Sequence, residues 1–143
     1  MVQKTIIFLW VAVMLLSSCA HQFGETGISK PDEYTRTFEA KERVILKAVA
    51  RLIEEKNNGD KVSIDFVNNR VDSDYVVSDD WRTKTSARVT RLNWKECKVT
   101  LAITTEKKTQ TGWEMRRLLG KKQYDSFFSL LELKIYEEMA NVE

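Results

Sequence analysis

Cys97-Lys98-Val99-Thr100-Leu101-Ala102-Ile103-Thr104-Thr105 is the stretch whose reading decides the fold. Val99, Leu101 and Ile103 share one parity, and Lys98, Thr100 and Thr104 the other. That period of two predicts a strand with one face buried and one wetted. Cys97 shares the buried parity and reads as a small buried hydrophobe. Upstream, residues 85–94 read as another strand. There Ala87 and Val89 share one parity and Leu92 and Trp94 the other, a conflict that a bulge would reconcile. Before it, Val71, Ser73, Tyr75 and Val77 alternate with Asp72, Asp74, Val76 and Ser78, ending at Asp79-Asp80-Trp81. Val62, Ile64 and Phe66 form a further alternating run, with Asn68-Asn69 as a tight hairpin turn. Residues 106–112 are polar and read as a loop.

Helical periodicity flanks these strands. Over Glu39–Lys56, Val44, Ile45, Ala48, Val49, Leu52 and Ile53 fall on one stripe, and Asn57-Asn58-Gly59 supplies the stop. Over residues 124–141, Tyr124, Phe127, Phe128, Leu131, Ile135 and Met139 make a second stripe, widened by Leu130 and Leu133, with Asp125 or Ser126 as cap. Short connections between strands imply an antiparallel meander. Its apolar face needs cover, and two amphipathic helices are available. The expectation is an α+β, two-layer sandwich, a four-stranded antiparallel meander with two helices on one face, in the order α-β-β-β-β-α.

The N-terminus reads differently. Lys4 precedes an apolar run, Thr5–Leu16, and Leu16-Ser17-Ser18-Cys19 follows. A cation, a short apolar core and small residues are the parts of a secretory signal. The run is shorter than the roughly 20 residues that span a bilayer. The last four residues resemble the lipobox of bacterial lipoproteins. That resemblance implies cleavage before Cys19 and lipidation of its sulfur, with two or three acyl chains, palmitate among them. Ala20 favours the outer membrane, facing the periplasm. The expected division is a signal peptide over 1–18, a lipidated Cys19 and flexible tether over 19–38 carrying Gly24, Gly27 and Pro31, and one domain over 39–143.

The chain of 143 residues carries a formal charge of +2, which demands no polyanionic partner. With Cys19 lipidated, Cys97 is left without a disulfide partner. The one histidine, His21, lies beside the anchor, away from any triad or zinc site. There is no phosphate-binding Gly loop, CxxC or HExxH. Asp72, Asp74, Asp79 and Asp80 lack the Gly and terminal Glu of a calcium loop and read as solvated, Asp72 and Asp74 facing Arg88 or Arg91 across strands. No catalytic residue, cofactor or metal is expected. From Trp81 to Lys122, twelve Lys and Arg face three acids. Arg116, Arg117, Lys121 and Lys122 within that stretch form a candidate patch for anionic head groups. Solvated faces paired across strands are the plainer account of the same charges. Trp81, Trp94 and Trp113 read as core edges, unless clustered into a partner surface.

The run Val71–Trp81, a basic strand, Lys98–Ile103 and Gly112-Trp113 are similar to envelope lipoproteins related to the C subunit of the outer-membrane β-barrel assembly machinery. That resemblance implies a helix-grip-like domain over residues 40–140. That subunit carries two such domains; this chain has room for one. A second resemblance, in architecture alone, is to the lipopolysaccharide-assembly lipoprotein that plugs a barrel. The expected role is a non-enzymatic binding or scaffolding module, anchored in the membrane through Cys19 and contacting an envelope protein. A lipid or lipopolysaccharide binder using the basic patch is the alternative, and a hydrolase stands behind both. Nucleic acid is excluded by compartment.

Overall fold

A computed structural model describes residues 27–59 and 61–141. The signal segment, Cys19, His21 and the tether up to residue 26 lie outside these.

Seven strands form one antiparallel sheet, joined by two helices. They are β1 (Glu33–Phe38), α1 (Glu42–Lys56), β2 (Val62–Asp65), β3 (Arg70–Ser73), β4 (Val76–Ser78), β5 (Trp81–Arg91), β6 (Cys97–Thr109), β7 (Gly112–Met115) and α2 (Lys121–Ala140). The sheet order is β1-β6-β5-β3-β2, with β4 also on β5 and β7 also on β6. The expected meander is β2-β3-β5-β6 of this sheet, with β1 and β7 added on β6 and the expected strand over 71–78 divided into β3 and β4.

Both helices cover one face. Val71, Ala87, Val89, Cys97, Val99 and Leu101 point into a core shared with Ile45, Leu46, Val49 and Ile53 of α1 and Phe127, Phe128, Leu131 and Ile135 of α2. Two ion pairs tie the helices together, Arg51 to Glu138 and Lys134 to Glu55, each at 2.8 Å. Asn58 and Gly59 close α1 with φ of 55° and 88°, the left-handed geometry expected of the Asn-Asn-Gly stop. Asn69, at φ 51°, turns the chain between β2 and β3, and the Asp65 carboxylate accepts N–H bonds from Val67 and Asn68. Phe66 is therefore in the turn rather than the strand, half exposed beneath the Arg43 guanidinium.

Several boundaries differ from expectation, each for a physical reason. Residues 33–38 belong to the sheet: β1 pairs with β6 from Glu33↔Ala102 to Phe38↔Cys97. The tether read through residue 38 thus stops short of it, because Tyr34 and Phe38 pack on the core and their neighbours face solvent. The helices begin at Glu42 and Lys121 rather than 39 and 124. Gly120 precedes α2, with its N–H held at 3.0 Å by the Gln123 side chain, so neither Asp125 nor Ser126 is the cap. Residues 106–112 are not a loop. β6 continues to Thr109, turns, and returns as β7, its polar side chains lying on a sheet extension that reaches past the helices.

The bulge sits one strand earlier than the apolar pattern suggests. Asp72 pairs with Ser86 and Val76 with Thr83, so residues 73–75 oppose only 84 and 85. The buried Ser73 hydroxyl supplies the missing contacts, accepting the Thr85 N–H at 2.9 Å and donating to the Asp74 carbonyl at 2.9 Å. The extra residue inverts parity, so Val71 and Ser73 face the helices while Tyr75 and Val77 lie on the opposite face. At residues 92–96 there is no bulge. β5 ends at Arg91, and Leu92 and Trp94 stand on an exposed turn.

The β1/β7 edge has a gap opposite residues 103–105 of β6. Tyr124 of α2 fills part of it: its hydroxyl accepts the Ile103 N–H at 3.1 Å and donates to the Asp32 carbonyl at 3.2 Å. Arg116 fills the rest, its N–H reaching the Thr105 carbonyl at 2.8 Å and its carbonyl accepting from the Thr105 hydroxyl.

Candidate functional site

The four residues of the anionic-ligand patch do not form a free cationic surface. Arg116 reaches Glu114 at 2.6 Å, with its side chain only 18% exposed. Arg117 grips Asp32 through two bonds of 2.7 and 3.0 Å. Lys121 pairs with Asp125 one helical turn on, at 2.6 Å. Lys122 alone is exposed with no ion pair among the described residues. The four-residue patch is thus largely offset by carboxylates from the N-terminal approach, β7 and α2.

The aspartates are likewise occupied. Asp72 pairs with Arg70 on its own strand, at 2.6 and 3.0 Å, rather than with Arg88 or Arg91. Burial alone would raise the Asp72 pKa, but hydrogen bonds from Arg70 and Ser86 outweigh it and hold the carboxyl below its usual range. Arg91 turns instead to Glu42 at the start of α1, at 3.2 Å. Asp74 lies in the bulge, two residues from Asp72 and past the parity change, so the two carboxylates do not form a facing pair. Cys97 is buried, and burial, with the Glu42 carboxylate nearby, pushes its thiol pKa up, away from nucleophilic reactivity. Among the described residues no three metal-ligating side chains come together, and no helix is long and apolar enough to cross a membrane.

Two constellations emerge that the sequence pattern did not bring together. The first lies on the sheet face away from the helices. Arg82 of β5 sits between the rings of Tyr75 and Trp113, 4.2 and 4.7 Å from their centres, and pairs with Glu106 of β6. The bulge at 73–75 is what carries Tyr75 to that face. Arg82 thus ties the bulge to β5, β6 and β7, and the stack reads as a brace across them. Trp81 lies on the opposite face, near Lys107, so the three tryptophans do not cluster.

The second is a cleft of about 410 Å³ at the other end of the sheet, lined by Glu39, Ala40, Lys41, Val44, Trp94, Lys95 and Met139. It gathers the start of α1, the end of α2 and the turn between β5 and β6. That turn is held by Asn93, whose carbonyl oxygen accepts the N–H groups of Lys95 and Glu96 at 2.9 Å each and whose amide donates to Glu96 at 2.6 Å. Trp94 takes no part in this network and is 80% exposed. The sequence held one sign of it: Leu92 and Trp94 fall out of phase with Ala87 and Val89 because the strand has already ended.

Comparison with protein-family models and with curated proteins gives no match for this chain.

Proposed function

We propose that the protein is a bacterial lipoprotein, cleaved before Cys19, anchored through that residue on the periplasm-facing side of the envelope, and acting as a non-enzymatic binding or scaffolding module. The observation that carries the reading is the Leu16-Ser17-Ser18-Cys19 sequence directly after an apolar run too short to span a bilayer. The folded part supports it. The charged clusters are braced within the domain, and the second cysteine is a buried core residue. Eight residue steps separate Cys19 from Gly27, a reach of at most roughly 28 Å. Gly27 bridges to Arg116, beside the β6–β7 extension. The chain therefore enters the domain at the end opposite the Trp94 turn, and that turn points away from the anchored end.

Labelling cells with a clickable palmitate analogue tests the reading. The wild-type chain is expected to incorporate label and fractionate with the outer membrane. Cys19→Ser is expected to lose both. Label retained by Cys19→Ser would refute lipidation at this residue. For the module itself, mild crosslinking of the anchored protein is expected to yield one stable envelope partner, and a protein that stays monomeric and uncrosslinked contradicts a scaffolding role. The basic patch as a lipopolysaccharide site is the second reading. Its pairing to Glu114, Asp32 and Asp125 argues against it.

A further inference from the structure

We infer that the cleft between the start of α1, the end of α2 and the β5–β6 turn is a binding site for an aliphatic carboxylate. Its alkyl chain would lie along Ala40, Val44, Met139 and the Trp94 ring, with the carboxylate beside Lys41 and Lys95. Three features of the cleft lead there. Its volume of about 410 Å³ falls among small-molecule sites, which run from about 300 to 1,000 Å³. Its apolar walls are left uncovered: Trp94 is 80% exposed and Met139 44%, although the Asn93 network fixes the turn without any contribution from the indole. Its charge is matched to one anion. The Lys95 ammonium lies 4.7 Å from the centre of the Trp94 ring, which keeps it at the rim, and Lys41 lies on the same lining. Among the described residues no carboxylate comes within ion-pair range of either lysine. Glu39 is the one acid on the lining, so two cations and one anion leave room for a monoanion better than for a dianionic phosphate monoester.

A chain-length series on the full chain tests this. Octanoate, decanoate and dodecanoate are titrated below their micellar concentrations while the Trp94 indole N–H is followed by NMR, with Trp94→Phe identifying that signal. Each added pair of methylenes is expected to tighten binding roughly tenfold, as burial of an alkyl chain requires. Lys41→Gln with Lys95→Gln is expected to weaken decanoate at least fivefold and leave decanol unchanged. Trp94 is too exposed for its replacement to disturb the fold, and Val44→Glu provides a second block of the cleft that should abolish the decanoate response. Equal affinity along the series, equal affinity for decanoate and decanol, or a shift that survives Val44→Glu overturns the proposal. A flat series would assign the exposed Trp94 to protein docking instead. Cys19→Ser is expected to bind as wild type does, so failure of the lipidation reading and failure of this one are separable.

Discussion

Tyr124 shows how much a single hydroxyl does in this fold. Its ring is buried against Tyr34, with centres 4.2 Å apart, and burial pushes its phenol pKa up, so it stays protonated and able to donate. Removing the oxygen leaves the Ile103 N–H and the Asp32 carbonyl without their partner at the edge gap. Tyr124→Phe should cost about 1–3 kcal/mol in urea unfolding, a larger loss than an exposed tyrosine would give. Glu138 presents a related case, since its carboxylate is nearly buried and meets Arg51 across the helix seam. Arg51→Ala should destabilise by about 1–2 kcal/mol, and adding Glu138→Gln should recover part of that, because the uncompensated charge is gone. Asp72 sets a pH dependence. Its folded pKa lies below the unfolded value of about 3.9, so its stabilisation is present above that value and lost as pH falls through the folded pKa. Asp72→Asn should lower stability at neutral pH, with the difference from the wild type shrinking as pH falls below about 4, read from unfolding curves taken across that range.

At the scale of elements, β6 was legible because its apolar parity is unbroken from Cys97 to Ile103, and α1 because its stripe is continuous from Val44 to Ile53. Leu101 lies at the centre of that strand with no exposed surface, and Leu101→Ala should cost about 2–5 kcal/mol. The less legible elements have physical causes. β1 carries Glu33, Thr35 and Arg36 among its six residues, so a short edge strand on a core looks like a polar leash. β7 and the end of β6 extend past the helices, where neither face needs to be apolar, and periodicity has nothing to report. The bulge at Ser73–Tyr75 conceals itself. Val71, Ser73, Tyr75 and Val77 alternate through it, although the first two face the helices and the last two do not. Deleting Asp74 should restore continuous pairing and leave Tyr75 and Val77 on the face away from the helices, opposite residues 84 and 82. The Tyr75–Arg82–Trp113 stack should then persist, readable by near-ultraviolet circular dichroism, and its loss would contradict this reading of the bulge. The cleft was invisible for a different reason: it joins Ala40, Trp94 and Met139, which only the folded chain brings together.

At the scale of the molecule, the fold is a sheet with one covered face and two unlike ends. One end receives the chain from its N-terminal approach and is knitted by the Arg117–Asp32 and Arg116–Glu114 pairs and by the Arg82 stack. The other displays Trp94 over the cleft. The anchor proposed at Cys19 would give this asymmetry a sense, holding the first end at the membrane and presenting the second to the periplasm. Intact-mass analysis of the membrane-extracted full-length protein, produced in a bacterial host, tests that anchor most directly. The account predicts a polypeptide beginning at Cys19 and heavier than its sequence by a diacylglycerol, with or without a further acyl chain. A chain that still carries residues 1–18, or one that begins elsewhere with no lipid on Cys19, would contradict it.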